Sequence, residues 1–120
     1  MLLRRNRLKS IAQQIIRQKL TIIKRLVAED EGGNKFILAN RNKNRNFMLE
    51  YNLLINDIKD IILNLEVDNY YKGPEEDESG LEGEVWIFTP IFQNTKLYVK
   101  IRLANNALVV CISIHKYGIY

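Results

Sequence analysis

The residues best equipped for chemistry gather toward the C-terminal end of the chain. The sequence has a single histidine, His115, and an unperturbed imidazole titrates near ~6.5, so it can take or give a proton at neutral pH. Ahead of it, Lys96 to Leu103 alternates with period two. As a strand it sends Leu97, Val99, Ile101 and Leu103 to one face and Lys96, Tyr98, Lys100 and Arg102 to the other. Leu108 to His115 sorts by the same rule: Leu108, Val110, Ile112 and Ile114 are expected in the core, with Val109, Cys111, Ser113 and His115 opposite. In Glu84 to Thr89, Val85 and Ile87 are expected inward and Glu84, Trp86 and Phe88 outward. One open face would then gather Glu84, Trp86, Phe88, Tyr98, Lys100, Arg102, Ser113 and His115. Rings stack on unpaired bases and cations hold phosphates, so such a face suits single-stranded RNA. The plainer reading is the wet side of an antiparallel sheet. A face made for solubility, however, more often carries Lys, Glu, Thr and Ser than an indole and the only histidine.

The rest of the chain must position that face. From about Arg4 to Glu29, apolar residues Leu8, Ala12, Ile15, Ile16, Ile22, Ile23, Leu26 and Val27 recur at helical spacing between basic ones, which predicts a long amphipathic helix. It stops at Glu31-Gly32-Gly33. Lys35 to Ala39 is a candidate edge strand, and the polar Asn40 to Asn46 favours turns and caps. Two short helices are expected, from about Asn44 to Leu54 with Phe47, Met48, Tyr51 and Leu54 inward, and from Asn56 to about Glu66 with Ile58, Ile61, Ile62 and Leu65 inward. Tyr70 to Pro74 closes the helical half, and Glu75 to Gly83 reads as an acidic, mobile loop, solvated or gating the basic face. Pro90 to Asn94 and Ala104-Asn105-Asn106 are short enough for hairpins, so the three strands should be antiparallel. The fold class is therefore α+β, an antiparallel sheet of three or more strands with helices on one face. Residues 1–31 form the basic helix and 32–120 the main body, within one compact domain.

Charge is strongly segregated. Residues 1–28 hold eight Lys/Arg and no acid, residues 29–84 hold six Lys/Arg and all fourteen acids, and residues 85–120 hold four Lys/Arg and no acid. A polyanion would therefore be drawn to particular surfaces rather than to the whole molecule. A lone cysteine, Cys111, allows no internal disulfide and fits a reducing, cytoplasmic setting. No apolar run approaches the ~20 residues of a membrane span, and the basic opening MLLRRNRLKS leads into no apolar core of a secretory signal. One Cys and one His cannot make a zinc site. Phosphate-binding glycine loops, GxSxG and HExxH are absent from the sequence.

Several short motifs also stand in a telling order: Asn40-Arg41-Asn42-Lys43-Asn44, Tyr70-Tyr71-Lys72-Gly73-Pro74, Gly83-Glu84-Val85-Trp86-Ile87-Phe88, Leu97-Tyr98-Val99-Lys100-Ile101 and Val110-Cys111-Ile112-Ser113-Ile114-His115. In order and spacing the chain resembles, over roughly residues 34–116, the MqsR-type toxins of bacterial type II toxin–antitoxin systems, within the RelE-like group of messenger-RNA interferases. The resemblance implies a RelE-like fold, a metal-independent endoribonuclease without cofactor that cuts single-stranded messenger RNA, and a cognate antitoxin that neutralises it. It adds Lys72 to Tyr98 and Lys100 as catalytic candidates, with His115 standing where the best-known member has lysine. Tyr71, Trp86, Arg102 and Lys116 are the expected RNA contacts. A first-strand glutamine of that member has no counterpart here, so cleavage specificity does not carry over.

Cleavage without metal has the RNA 2′-hydroxyl attack the adjacent phosphorus, and it needs a proton acceptor, a proton donor and cations for the added charge. Lys72, Lys100 and Arg102 would serve the phosphate and His115 would be general acid or base. Tyr98 would orient the phosphate or transfer the second proton, and Trp86 would stack a base. Two other readings compete: a nucleic-acid-binding module that does not cut, and a partner protein that pairs through the apolar stripe of residues 8–27, giving a homo- or hetero-oligomer.

Overall fold

The computed structural model describes the backbone of residues 2–119 and the side chains of residues 11–119. Helix α1 (Leu2–Glu29) lays Ile16, Leu20, Ile23 and Val27 against the sheet at four- and three-residue steps. Beyond Glu29 the chain turns at Asp30. The Asp30 carboxylate accepts the Lys35 and Phe36 backbone N–H groups at 2.8 Å each and the Lys59 ammonium at 2.9 Å. Those bonds, the Lys59 ammonium foremost, hold its pKa down at about 2. One nearly buried carboxylate thus ties the end of α1 to β1 (Phe36–Leu38) and to helix α3 (Ile55–Leu63).

Between β1 and α3 lies α2 (Asn42–Tyr51). A single 3-10 turn then leads into β2 (Tyr70–Glu75), β3 (Glu84–Phe88), β4 (Ile91–Phe92), β5 (Thr95–Ala104) and β6 (Leu108–Lys116). The strands form a six-stranded sheet in the order β1-β6-β5-β3-β2, with β4 hairpinned onto β5. All pairings are antiparallel except β1 with β6. The fold is α+β, and both hairpin turns use asparagines at positive φ, Asn94 and Asn105-Asn106. Among the described residues no helix is long and apolar enough to cross a membrane.

The β5 alternation holds throughout: Leu97, Val99, Ile101 and Leu103 are buried among Ile58, Ile62, Ile23 and Val27. Elsewhere the structure corrects the sequence reading. Tyr70 to Pro74 is an edge strand rather than a terminator. Leu54 caps α3 and is 73% exposed instead of facing inward. In β3 the faces are exchanged. Trp86 and Phe88 stand opposite Ile101 and Val99 on the helix side and are fully buried, and Glu84 reaches back to Lys19 of α1 at 2.7 Å. Val85 and Ile87 take the other face and are buried as well. A strand apolar on both sides carries no phase in its sequence.

β6 changes phase midway. Lys100 pairs with Ser113 but Ile101 pairs with Cys111, so Ile112 is an extra residue. Val109 and Cys111 therefore enter the core, where Val110 and Ile112 were expected, and Ile114 enters it after the bulge. The backbone left without a strand neighbour is taken up by Asn44, itself 1% exposed. Its amide donates to the carbonyls of Ala39 and Ile112 at 3.0 and 3.1 Å, and its oxygen accepts the Ile114 N–H at 2.9 Å. Asn44→Leu strands those buried groups, so we expect a loss of roughly 2–4 kcal/mol, read from the urea unfolding midpoint.

Candidate functional site

Residues directly opposite across a sheet share a face, and the register therefore builds the site. Lys72 of β2 lies opposite Ile87 of β3, Ile87 opposite Lys100 of β5, and Lys100 opposite Ser113 of β6. The two ammonium-bearing residues are two interstrand spacings apart, about 10 Å between backbones. In the adjoining row Tyr98 faces His115, and beyond Lys100 Arg102 lies between Val85 and Val110. By register Lys72 and Lys100 flank Ile87 and Arg102 flanks Val85, so their stems cover these buried residues, the guanidinium of Arg102 being itself nearly buried against Asp77.

β2 can approach this closely because of Gly73. At φ 132° a Cβ there would lie 2.7 Å from the Val85 carbonyl oxygen and 3.1 Å from Trp86, so no larger residue fits the bend that carries Lys72. Lys72 is exposed and pairs with Glu75 at 3.4 Å, which holds its ammonium above the usual lysine range.

The Tyr98 and His115 rings stack, with centroids 5.3 Å apart and planes 18° from parallel. His115 Nδ1 lies 2.9 Å from the Lys116 carbonyl. A carbonyl only accepts, so Nδ1 carries the hydrogen and the neutral ring has its lone pair on Nε2. Burial pushes the imidazole pKa below its ordinary value; the Lys116 carbonyl opposes this and the charges of Lys43 and Arg41 add to it. The ring is neutral at pH 7, as a general base needs to be, but the residue is only 4% exposed, packed beside α2.

Of the sequence candidates, Lys72, Tyr98, Lys100, Arg102 and His115 share the sheet face opposite α1 and α3, with α2 alongside His115. Trp86 does not: it is 1% exposed, in the core 6.3 Å from the Tyr70 ring, and cannot stack a base. Lys116 stands opposite the core residue Leu97, one step out of phase with His115, and its ammonium is bonded to Glu50 at 2.6 Å. Cys111 is wholly buried, which pushes its thiol up to about 12 and leaves it inert. Tyr71 remains exposed and meets Tyr117 edge to face at 6.2 Å, with the Lys96 ammonium 4.3 Å from the Tyr117 ring centre. Among the described residues these two tyrosines are the exposed aromatics, with Tyr98 half-buried beside them on the same face.

Arg41, Lys43 and Tyr117 are additions that the sequence reading did not select. Arg41 donates to Ser113 Oγ at 2.9 Å, and its guanidinium and the Lys43 ammonium both act on His115. Tyr117 follows His115 by two residues, so alternation extended one step would have found it. Nothing local in Asn40–Asn44 says that its basic residues meet β6. No protein-family model matches the chain, and no curated protein or solved structure matches it either.

Two outcomes follow. His115 resists protonation when folded, so the unfolded chain takes up the proton first as pH falls below about 6.5. Stability therefore declines as pH falls through that region, and His115→Gln flattens the decline in urea titrations between pH 7.5 and 5. Asp30 is silent there, since its contribution is lost only below about 3.8. Gly73→Ala should cost about 1–3 kcal/mol by thermal unfolding, through its contact with backbone.

Proposed function

We propose that the chain is a metal-independent endoribonuclease acting on single-stranded messenger RNA, a toxin of the MqsR type with a RelE-like fold, working in the cytoplasm and neutralised by a cognate antitoxin. The reaction class comes from the sequence resemblance. The observation that carries the reading is the row Lys72–Ile87–Lys100–Ser113 lying beside the Tyr98–His115 stack on one sheet face, with Arg41 bonded to Ser113.

In this reading a base rests on Tyr71 and Tyr117 while Lys72, Lys100 and Arg41 hold the scissile phosphate. The 2′-oxygen bonds to phosphorus as His115 takes its proton, and the 5′-oxygen leaves with the proton of the Tyr98 phenol, so the products are a 2′,3′-cyclic phosphate and a 5′-hydroxyl. Tyr98 is the phenol that meets the RNA. Neutral His115, stacked against it, serves as the base through Nε2, and the cations spread the charge of the pentavalent phosphorus.

The burial of His115 favours a second reading, a nucleic-acid-binding module that holds RNA without cutting it. The two separate in a digest. The full chain in EDTA should convert a single-stranded RNA to cyclic-phosphate fragments, and Lys100→Ala should slow this by about a hundredfold. A 2′-deoxy sugar at the cut should block it. Folded protein that binds the RNA and leaves it intact would decide for the second reading. Growth arrest on expression, relieved by the neighbouring reading frame, tests the toxin assignment.

A further inference from the structure

The segment between β2 and β3 lies against the basic face. Asp77 Oδ2 is 3.3 Å from Arg102 Nε, both side chains being nearly buried, and Arg102 Nη1 donates to the Glu82 carbonyl at 2.7 Å. Hydrogen bonds from Ser79 to its other oxygen, then the charges of Arg102 and Lys100, hold the Asp77 carboxyl below its ordinary pKa. The returning leg hugs β5: a Cβ on Gly83 would sit 2.7 Å from the Leu103 carbonyl oxygen. Between the loop and the sheet lies a cleft of about 520 Å³ with Arg41, Lys100 and Arg102 on the sheet side and Asp77, Glu78 and Ser79 on the other. That volume is in the range of small-ligand sites, ~300–1,000 Å³.

We propose that this cleft receives, on Arg102, the phosphodiester next to the one held by Lys100 and Arg41 in single-stranded nucleic acid, and that Asp77 occupies that guanidinium as an internal competitor. A carboxylate and a phosphodiester are both anions that accept from the same guanidinium edge. Glu75 acts likewise on Lys72. Nucleic acid entering the cleft displaces Asp77 from Arg102, so the strap lowers affinity until enough phosphates engage together. The inference rests on the polyanion-binding side of the reading above and not on cleavage.

The test is fluorescence anisotropy of an uncleavable 2′-deoxy oligonucleotide with the full-length chain. Asp77→Asn should tighten binding about tenfold more than Glu31→Gln, which changes net charge equally at an exposed site next to the Gly32-Gly33 turn. Arg102→Ala placed in the Asp77→Asn background should remove that gain. Backbone amides of residues 76–82 should also exchange faster when the oligonucleotide saturates the wild-type protein. Equal affinities for Asp77→Asn and Glu31→Gln, or no binding by either, overturn the strap. Wild-type cleavage without an Asp77→Asn gain would leave the nuclease standing and the strap refuted. An Asp77→Asn gain in a protein that cuts nothing would do the reverse.

Discussion

A strand that must serve two partners sets the terms for this molecule. The first half of β6 hydrogen-bonds to β1 along its outer edge, through Val109 to Cys111. The second half has no strand there, and the carboxamide of Asn44 stands in for one by accepting from Ile114 and donating to Ile112. Backbone groups buried without partners cost more than most side-chain contacts return, so this substitution is what allows β6 to continue past the bulge. The extra residue, Ile112, then resets the alternation. Cys111 and Ile114 both reach the core, and Ser113 and His115 come out on the face of Lys100 and Tyr98. Arg41, three residues before Asn44, arrives beside Ser113 by the same docking of α2.

Electrostatics explains why a protein with segregated charge is not simply basic on one side. Acids of the middle segment fold back on cations of the sheet: Glu75 on Lys72, Asp77 on Arg102, Glu50 on Lys116. Exposed pairs such as the first contribute little to stability, whereas a shielded one such as Asp77 with Arg102 is screened less by salt. Their effect is on what the face offers an incoming anion. On this face Lys100 and Arg41 have no carboxylate bonded to them among the described ion pairs, whereas Lys72 and Arg102 do.

The site's chemistry turns on the stacked Tyr98 and His115. Desolvation keeps the imidazole neutral, and the Lys116 carbonyl selects the tautomer. Both features suit a base, and both come from burial, which also restricts what can touch the ring. Tyr98 is half-buried and His115 buried, so the phenol is the more accessible member of the stack.

The α+β class, the helices, the three long strands and the β5 alternation were legible in the residues alone, because turn signals bound the elements and in β5 the apolar spacing admits one phase. Sequence also determined that Lys100, Arg102 and Tyr98 share a face, since neighbours two apart on a regular strand must. The remainder depends on contacts between segments far apart in the chain. Val85 to Phe88 is apolar at every position, so only the space beneath α1 and α3 settled that Trp86 and Phe88 turn inward. Past the β6 bulge the Ile114 amide is held by Asn44, seventy residues away. Arg41 and Lys43 reach His115, and Asp77 reaches Arg102, through contacts between distant segments. Periodicity records which way a side chain points along its own strand; it carries no information about which distant segment comes to lie beside it.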